Sequence, residues 1–300
     1  MTLAATSKPS RRRRSWVQIL APYFMVLPGW LWMAIFFVVP LVFMLSVSTM
    51  TGNILSGFEQ TWHFSTYANA WDAYHVQIVR SLIYGLVATA ICLMIAYPIA
   101  YWIAFRGGRN KNVYLFLLLL PFFVSFVIRT QSWEFILEDH GMVVGFLRTI
   151  HVVGGNFHIL QTSVAVVGGL IYNFLPFTVL PIYVSLERVD PALLEASADL
   201  YANKASAFLR VIFPLSIPGI FASVLLTFVP VASDYVNAQI LGGGSNTTMI
   251  GTIIETQYLQ NLEYPTAAAL SFILMAVLLI GIFLYARALG TEDALEMAAQ

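Results

Sequence analysis

Four side chains have the type and placement to do chemistry in an apolar setting. Asp234 and Tyr235 lie near the end of the apolar run 217–236, and Trp133 and Glu134 lie at the end of the run 113–133. A charge embedded in a membrane is expensive, so by default it marks a pathway or a buried pair. On the pathway reading, Asp234 replaces water around a cation such as an ammonium group. Glu134 then supplies a second acid, and Trp133 and Tyr235 supply cation–π faces. Alternatively, Asp234 pairs with a protein cation, Arg129 or Arg80, or is solvated at an interface. Arg129 and Arg80 stand near span ends and read as anchors whose long stems reach the interface. Arg129 has two further readings, an internal counter-ion or a ring partner for Trp133 at i,i+4. Glu138, Asp139, Glu255 and Glu263 fall in loops and read as solvated acids, or as acids that meet a basic partner or attract a cation.

The usual catalytic patterns are missing. The chain has no G-x-x-x-x-G-K-[ST] phosphate loop, no H-E-x-x-H and no G-x-S-x-G. It therefore reads as not an enzyme, with no metal and no cofactor of its own. His63, His75, His140, His151 and His158 lack helical ligand spacing. The single cysteine, Cys92, excludes an internal disulfide and reads as a small buried packing residue.

The elements that must hold these residues follow from composition. Of 300 residues, 59% are hydrophobic and only 10% charged, against about 25% charged in a soluble domain. So few charges cannot cover a water-facing surface, and a net charge of zero excludes a globally basic nucleic-acid binder. A membrane span needs about 20 apolar residues. Six runs qualify, at about 24–48, 81–105, 113–133, 163–186, 217–236 and 267–288. The expected fold is thus all-α, a six-helix transmembrane bundle spanning 21–290, with a basic segment at 1–20 and a tail at 291–300. Prolines interrupt several runs, which requires neighbouring helices to satisfy the freed backbone groups. Gly85, Gly168, Gly169 and Gly281 are candidate points of close helix approach. Residues 142–151 read as a short surface helix with Arg148 exposed.

Positive charge sets the orientation. Lys8, Arg11, Arg12, Arg13, Arg14, Arg106, Arg109, Lys111, Arg188, Lys204, Arg210 and Arg287 all fall on one side if the N-terminus is inside. Cationic loops are retained in the cytoplasm, so both termini are expected there. The run Arg11 to Arg14 reads as the cytoplasmic anchor of a retained first span, or as an anionic-lipid patch, rather than as a cleaved signal.

The connector 187–215 then lies in the cytoplasm. Asp190 before Pro191 is a helix start, with an N-cap acceptor followed by proline at the first position. Tyr201, Ala202 and Asn203 break the helix, and a second short helical stretch follows, ending at Pro214. This helix-turn-helix reads as a structured connector or as a docking element for a cytoplasmic partner. Its residues carry a resemblance. Glu195, Ala196 and Ser197, followed at family spacing by Val211, Phe213 and Pro214, resemble the EAA loop of permease subunits in bacterial ABC importers. The chain departs from that pattern where Tyr201 replaces a glycine. Glycine permits a left-handed backbone that tyrosine adopts reluctantly, so a differently shaped turn is expected.

Further segments are similar to the spermidine/putrescine-type permeases. They are Leu118 to Phe122, Ile128 to Trp133, Asn173 to Phe177, Leu180 to Tyr183, and Ser233 to Val236 followed by Leu241-Gly242-Gly243. The resemblance covers about 20–290 and implies a type I importer permease in a bacterial inner membrane, working by alternating access. It implies a second permease subunit, an ATPase dimer carrying ATP and Mg, and an extracytoplasmic substrate-binding protein. The ATPase would dock on the loop containing Glu195, Ala196, Ser197, Asp199, Tyr201, Ala202, Asn203, Lys204 and Pro214. The implied substrate is a small cation of the polyamine kind. The alternatives are a permease for another small amine, or a secondary transporter not driven by ATP. The latter would need a midplane ion site and usually repeats, and no convincing internal repeat is present.

Overall fold

The computed structural model describes residues 26–151, 154 and 157–288. The basic segment 1–20 and the tail 291–300 lie outside the described residues. From the N-terminal side, α1 (Val26–Val47) leads into a hairpin of β1 (Met50–Asn53) and β2 (Gly57–Gln60), paired antiparallel with Met50 opposite Gln60. Next come α2 (Ser65–Arg106), α3 (Lys111–Leu119), α4 (Phe126–Leu137), α5 (Met142–Thr149) and α6 (Ser163–Glu187). The connector holds α7 (Pro191–Asp199) and α8 (Lys204–Ala207). After it follow α9 (Phe213–Ala232), α10 (Ile250–Glu255) and α11 (Tyr264–Ala288).

Among the described residues, five helical segments are long and apolar enough to cross a membrane, and a broken pair makes a sixth if its two halves form one span. The expected straight span 113–133 is that broken pair. Gly108–Phe123 and Phe126–Thr149 meet at 88°. The cause is local. Pro121 sits in a tight 3-10 turn, Leu120–Phe123, and the backbone of Val124 is extended, ending the first half. Ser125, also non-helical, starts the second.

Three other boundaries differ from the hydropathy reading. Helix α2 begins at Ser65 rather than near 81, because Asp72, His75 and Arg80 lower the hydropathy of a stretch that is nonetheless helical. Its 42 residues span about 63 Å at 1.5 Å each, well beyond a hydrocarbon core of about 30 Å. Helix α9 stops at Ala232, so Asp234 lies past its end rather than within the span. Pro214 does not end the second connector helix. The chain widens into a π turn, Phe208–Ile212, just before this proline and continues helically into α9. A π turn gives the proline ring the room that a regular helix denies it.

Helix α6 is the centre of the bundle, packed by α2 and α9, with α11 against α2 and the end of α9. The α2 face is a row of small residues four apart. Ala88, Cys92, Ala96 and Ala100 are fully buried, with Ala104 continuing the row. Positions four apart stack on one helix face, and small residues there let backbones approach closely without a hydrophobic drive. Cys92 is thus the packing residue expected. Gly85 meets Phe228 and Ala232, and Gly169 meets Leu241 and Asn237, so both are points of close approach. Gly168 and Gly281 face open space and are not. Hydroxyl pairs tie the same helices together. Thr178 and Thr227, both fully buried, lie 2.7 Å apart, and the Tyr97 hydroxyl lies 2.9 Å from Ser216. Helix α1 contrasts with all of this, for no residue of Ala34–Val47 is buried.

Candidate functional site

The end of α9 and the broken third span meet in a buried polar layer. Past Ala232 the chain leaves the helix for three residues, which turns Asp234 inward to 8% exposure. Its Oδ1 accepts two hydrogen bonds from Asn237, from the backbone N–H at 2.8 Å and from the side-chain amide at 3.2 Å. The Asn237 side-chain Oδ1 accepts from the Asn173 amide at 3.0 Å, and that amide also donates to Thr130 at 3.2 Å. A continuous chain of side chains therefore runs from Asp234 through α6 to α4. Asn173, Asn237 and Thr130 are all essentially inaccessible, and the Asn173 Oδ1 is buried without a hydrogen-bond partner.

Neither proposed cation pairs with Asp234. Arg80 donates to the carbonyls of Ser245 and Thr248. Arg129 is not an interfacial anchor, since it is only 7% exposed. Its guanidinium donates to the Pro121 carbonyl at 3.1 Å and lies over the rings of Phe122 and Phe126, not Trp133. Burial excludes the snorkelling geometry, and Arg129 shares the Pro121 carbonyl at the span break with the Val124 N–H. Trp133 packs edge-on to Tyr172 at 5.2 Å. Glu134 is half-buried one turn beyond Thr130 on the same helix. Tyr235 points elsewhere, to a groove between α10 and α11. The four path residues are thus split: Asp234 reaches the α4 segment of Trp133 and Glu134 only through Asn237, Asn173 and Thr130. Those linking residues escaped sequence reasoning. The available signal was an amide, Asn173, within an otherwise apolar span.

Arg148, expected to be exposed, is half-buried. It forms an ion pair with Asp139 at 3.7 Å and donates to the carbonyls of Asp139 and Phe157.

At the other end of the bundle the connector stands out from the helices. Asp190 caps α7 as expected, its Oδ1 accepting from the Ala192 N–H at 2.9 Å. Helix α7 ends in a Schellman turn, with Ala202 N–H donating to the Ser197 carbonyl at 3.0 Å and Tyr201 N–H to that of Ala198 at 2.9 Å. Tyr201 occupies the left-handed position with φ +58°. The turn keeps the glycine-type backbone despite the tyrosine, contrary to expectation, because both closing hydrogen bonds hold it there. Asn203 then caps the next helix, accepting from Ser206 N–H at 2.8 Å. Ser197 faces the body, whereas Glu195, Ala196, Asp199, Asn203, Lys204 and Pro214 are exposed. Leu200 and Tyr201 project furthest, at 82% and 98% exposure. Beneath the loop, Lys111 pairs with Glu187 at 3.5 Å, tying the start of α3 to the end of α6.

A protruding loop at one end, a polar layer at the other and a bundle centred on α6 define an integral membrane translocator subunit. Residues 96–289 match the family model described as binding-protein-dependent transport system inner membrane component, and the chain belongs to that family. It is a multi-pass permease subunit of an ABC importer. It is 33% identical over 258 residues to the spermidine/putrescine transport system permease protein PotB of Escherichia coli (strain K12), covering 86% of this chain and 94% of that protein. The Salmonella typhimurium (strain SL1344) protein of the same name is equally similar, with 90% of its length covered. The inner membrane ABC transporter permease protein YdcU of Escherichia coli (strain K12) is 32% identical over 238 residues, covering 73% of this chain and 72% of that one. Among solved structures, a bacterial ABC transporter involved in the import of the acidic polysaccharide alginate superposes with a TM-score of 0.71. It is 19% identical and covers 93% of this chain and 99% of that chain, a likeness of fold alone.

Proposed function

We propose that this permease carries a polyamine of the spermidine/putrescine kind. The observation that carries the reading is the 33% identity, over nearly the whole chain, to permeases named for those two substrates. In this reading both termini face the cytoplasm, and the loop 187–215 docks on an ATPase dimer that holds ATP and Mg. A second permease completes the pathway, and an extracytoplasmic binding protein delivers the solute. An alginate transporter of the same fold in complex with a substrate-bound periplasmic protein supports that last partner. The exposed Leu200 and Tyr201 suit insertion into a partner groove, and the neighbouring Glu195, Asp199 and Lys204 suit its polar rim. On the other side, Asp234 with Tyr235, and Glu134 with Trp133, line successive parts of the cation path. Asp234 favours this role because it is buried and takes part in neither ion pair among the described residues.

The test is uptake of radiolabelled spermidine and putrescine into vesicles holding the complete complex, competed by other solutes. ATP-dependent uptake of either amine is expected. Uptake of some other solute that neither amine competes would overturn the polyamine reading.

A further inference from the structure

The groove that receives Tyr235 contains an acid for which the polar layer has no use. Helix α10 and the π turn after it, Thr256–Gln260, pack on α11 and, with the end of α9, border an open groove of about 570 Å³. Glu255, Tyr258, Tyr235 and Ser233 line its polar wall, and Leu274 and Leu278 contribute to its apolar one. Among the described residues, no lysine, arginine or histidine lines it. Glu255 takes part in neither of the two ion pairs among the described residues. Among the described residues, its carboxylate accepts one long hydrogen bond, from the Thr256 hydroxyl at 3.5 Å. The groove therefore holds one unneutralised carboxylate, two aromatic rings and a wall of methyl groups. That combination complements an alkylammonium, whose charged end needs an anion and π faces and whose methylenes need apolar contact.

Position connects this groove to Asp234. Gly251 lies one turn before Glu255 on the same face of α10, and a side chain there would collide with the carbonyls of Ser233 and Asp234. The backbone that carries Asp234 thus forms one edge of the groove. The α11 wall between Ser271 and Ile282 runs for about 16 Å along the helix, enough for an extended aliphatic amine.

We propose that Glu255, with Tyr235 and Tyr258, forms an alkylammonium-binding subsite along α11, next to Asp234 in the cation path. This rests on the reading of the chain as a permease for a small cation. The subsite can be tested apart from that reading, because Cys92 is the only cysteine and is buried. In the assembled complex, Tyr258→Cys is labelled with cationic and with anionic methanethiosulfonates, and modification of this chain is read by mass. The cationic reagent should react about tenfold faster, as an anionic cleft concentrates cations. The preference should vanish in Tyr258→Cys with Glu255→Gln and persist with Glu255→Asp, and putrescine should slow the labelling. No labelling, as when lipid or the second permease fills the groove, overturns the subsite, and so does labelling without charge preference. In parallel, Glu255→Gln should raise the KM for putrescine uptake about tenfold, and Leu278→Trp, which fills the groove without touching the acid, should lower uptake. Normal KM values in both variants overturn the subsite while leaving the polyamine reading intact. Charge-selective labelling of Tyr258→Cys, where the wild-type complex takes up no polyamine, overturns the substrate reading and leaves the cation groove standing.

Discussion

Asn237 donates twice to one oxygen of Asp234, through its backbone N–H at 2.8 Å and its side-chain amide at 3.2 Å. Both bonds need an acceptor and neither needs a charge. Asp234→Asn, with its carbonyl oxygen in the Oδ1 position, keeps both, so the melting temperature of the purified complex should scarcely move. Asp234→Ala removes the oxygen that accepts both bonds in a buried site and should cost about 1–3 kcal/mol, at about 1 kcal/mol per lost membrane hydrogen bond or somewhat more. Uptake separates structure from transport. If the carboxylate receives the cation, Asp234→Asn lowers amine uptake about tenfold or more, the usual scale for losing one desolvated charge contact. Full uptake in that variant would reduce Asp234 to a structural acceptor.

Arg129 is a brace for the broken span. Its guanidinium reaches back eight residues to the Pro121 carbonyl while lying 4.8 Å from the Phe122 ring centre. Lysine would keep the charge but lose the flat group that satisfies both contacts. Arg129→Lys should therefore destabilise the complex by about 1–3 kcal/mol, combining a charge-assisted hydrogen bond and a desolvated cation–π contact. The measurement is thermal melting in detergent, with the KM for uptake as control. A large change in KM with unchanged melting would mean that Arg129 belongs to the path.

What could be read from the residues divides along a physical line. Helix α6 was legible almost to the residue, because Thr162 and Glu187 bracket a continuous apolar run and Thr162 accepts from Ala165 N–H as its cap. The Asp190 cap of α7 was legible for the same reason, since capping is a property of adjacent residues. The early start of α2 was hidden because Asp72, His75 and Arg80 are compatible with a helix but not with a hydropathy window. The 88° break depends on where Arg129 and the core take the chain after Pro121, and hydropathy sees only an unbroken run. The polar layer was hidden most deeply. Asp234, Asn237, Asn173 and Thr130 come from three separate segments, and only tertiary packing makes them neighbours.

Glu195 offers a direct test of the loop as a docking element. Its side chain is exposed, forms neither of the ion pairs among the described residues, and packs into none of the cores. Glu195→Ala should thus leave the melting of the permease within about 0.5 kcal/mol of wild type, as for an ordinary surface substitution. Its effect should appear only with the ATPase present, as hydrolysis uncoupled from uptake. Unchanged uptake together with undiminished ATPase binding would remove Glu195 from the interface.

Tyr201 allows the shape of the turn to be separated from the ring that it displays. A left-handed backbone costs a side-chain-bearing residue about 1–2 kcal/mol, and glycine carries no such cost there. The two hydrogen bonds that close the turn are backbone bonds, from Ala202 to Ser197 and from Tyr201 to Ala198, so glycine keeps them. Tyr201→Gly should therefore leave the melting of the permease unchanged or slightly raised. The ring itself is 98% exposed and makes no contact that a free permease would lose. Exposed tyrosines that enter a partner pocket are often binding hot spots, worth about 2 kcal/mol or more. On the docking reading, Tyr201→Gly should weaken ATPase binding about tenfold or more, and Tyr201→Phe should retain most of it. Lower melting in Tyr201→Gly would show that the ring stabilises the loop. Equal ATPase affinity in all three proteins would show that tyrosine is tolerated at this position but not used for docking.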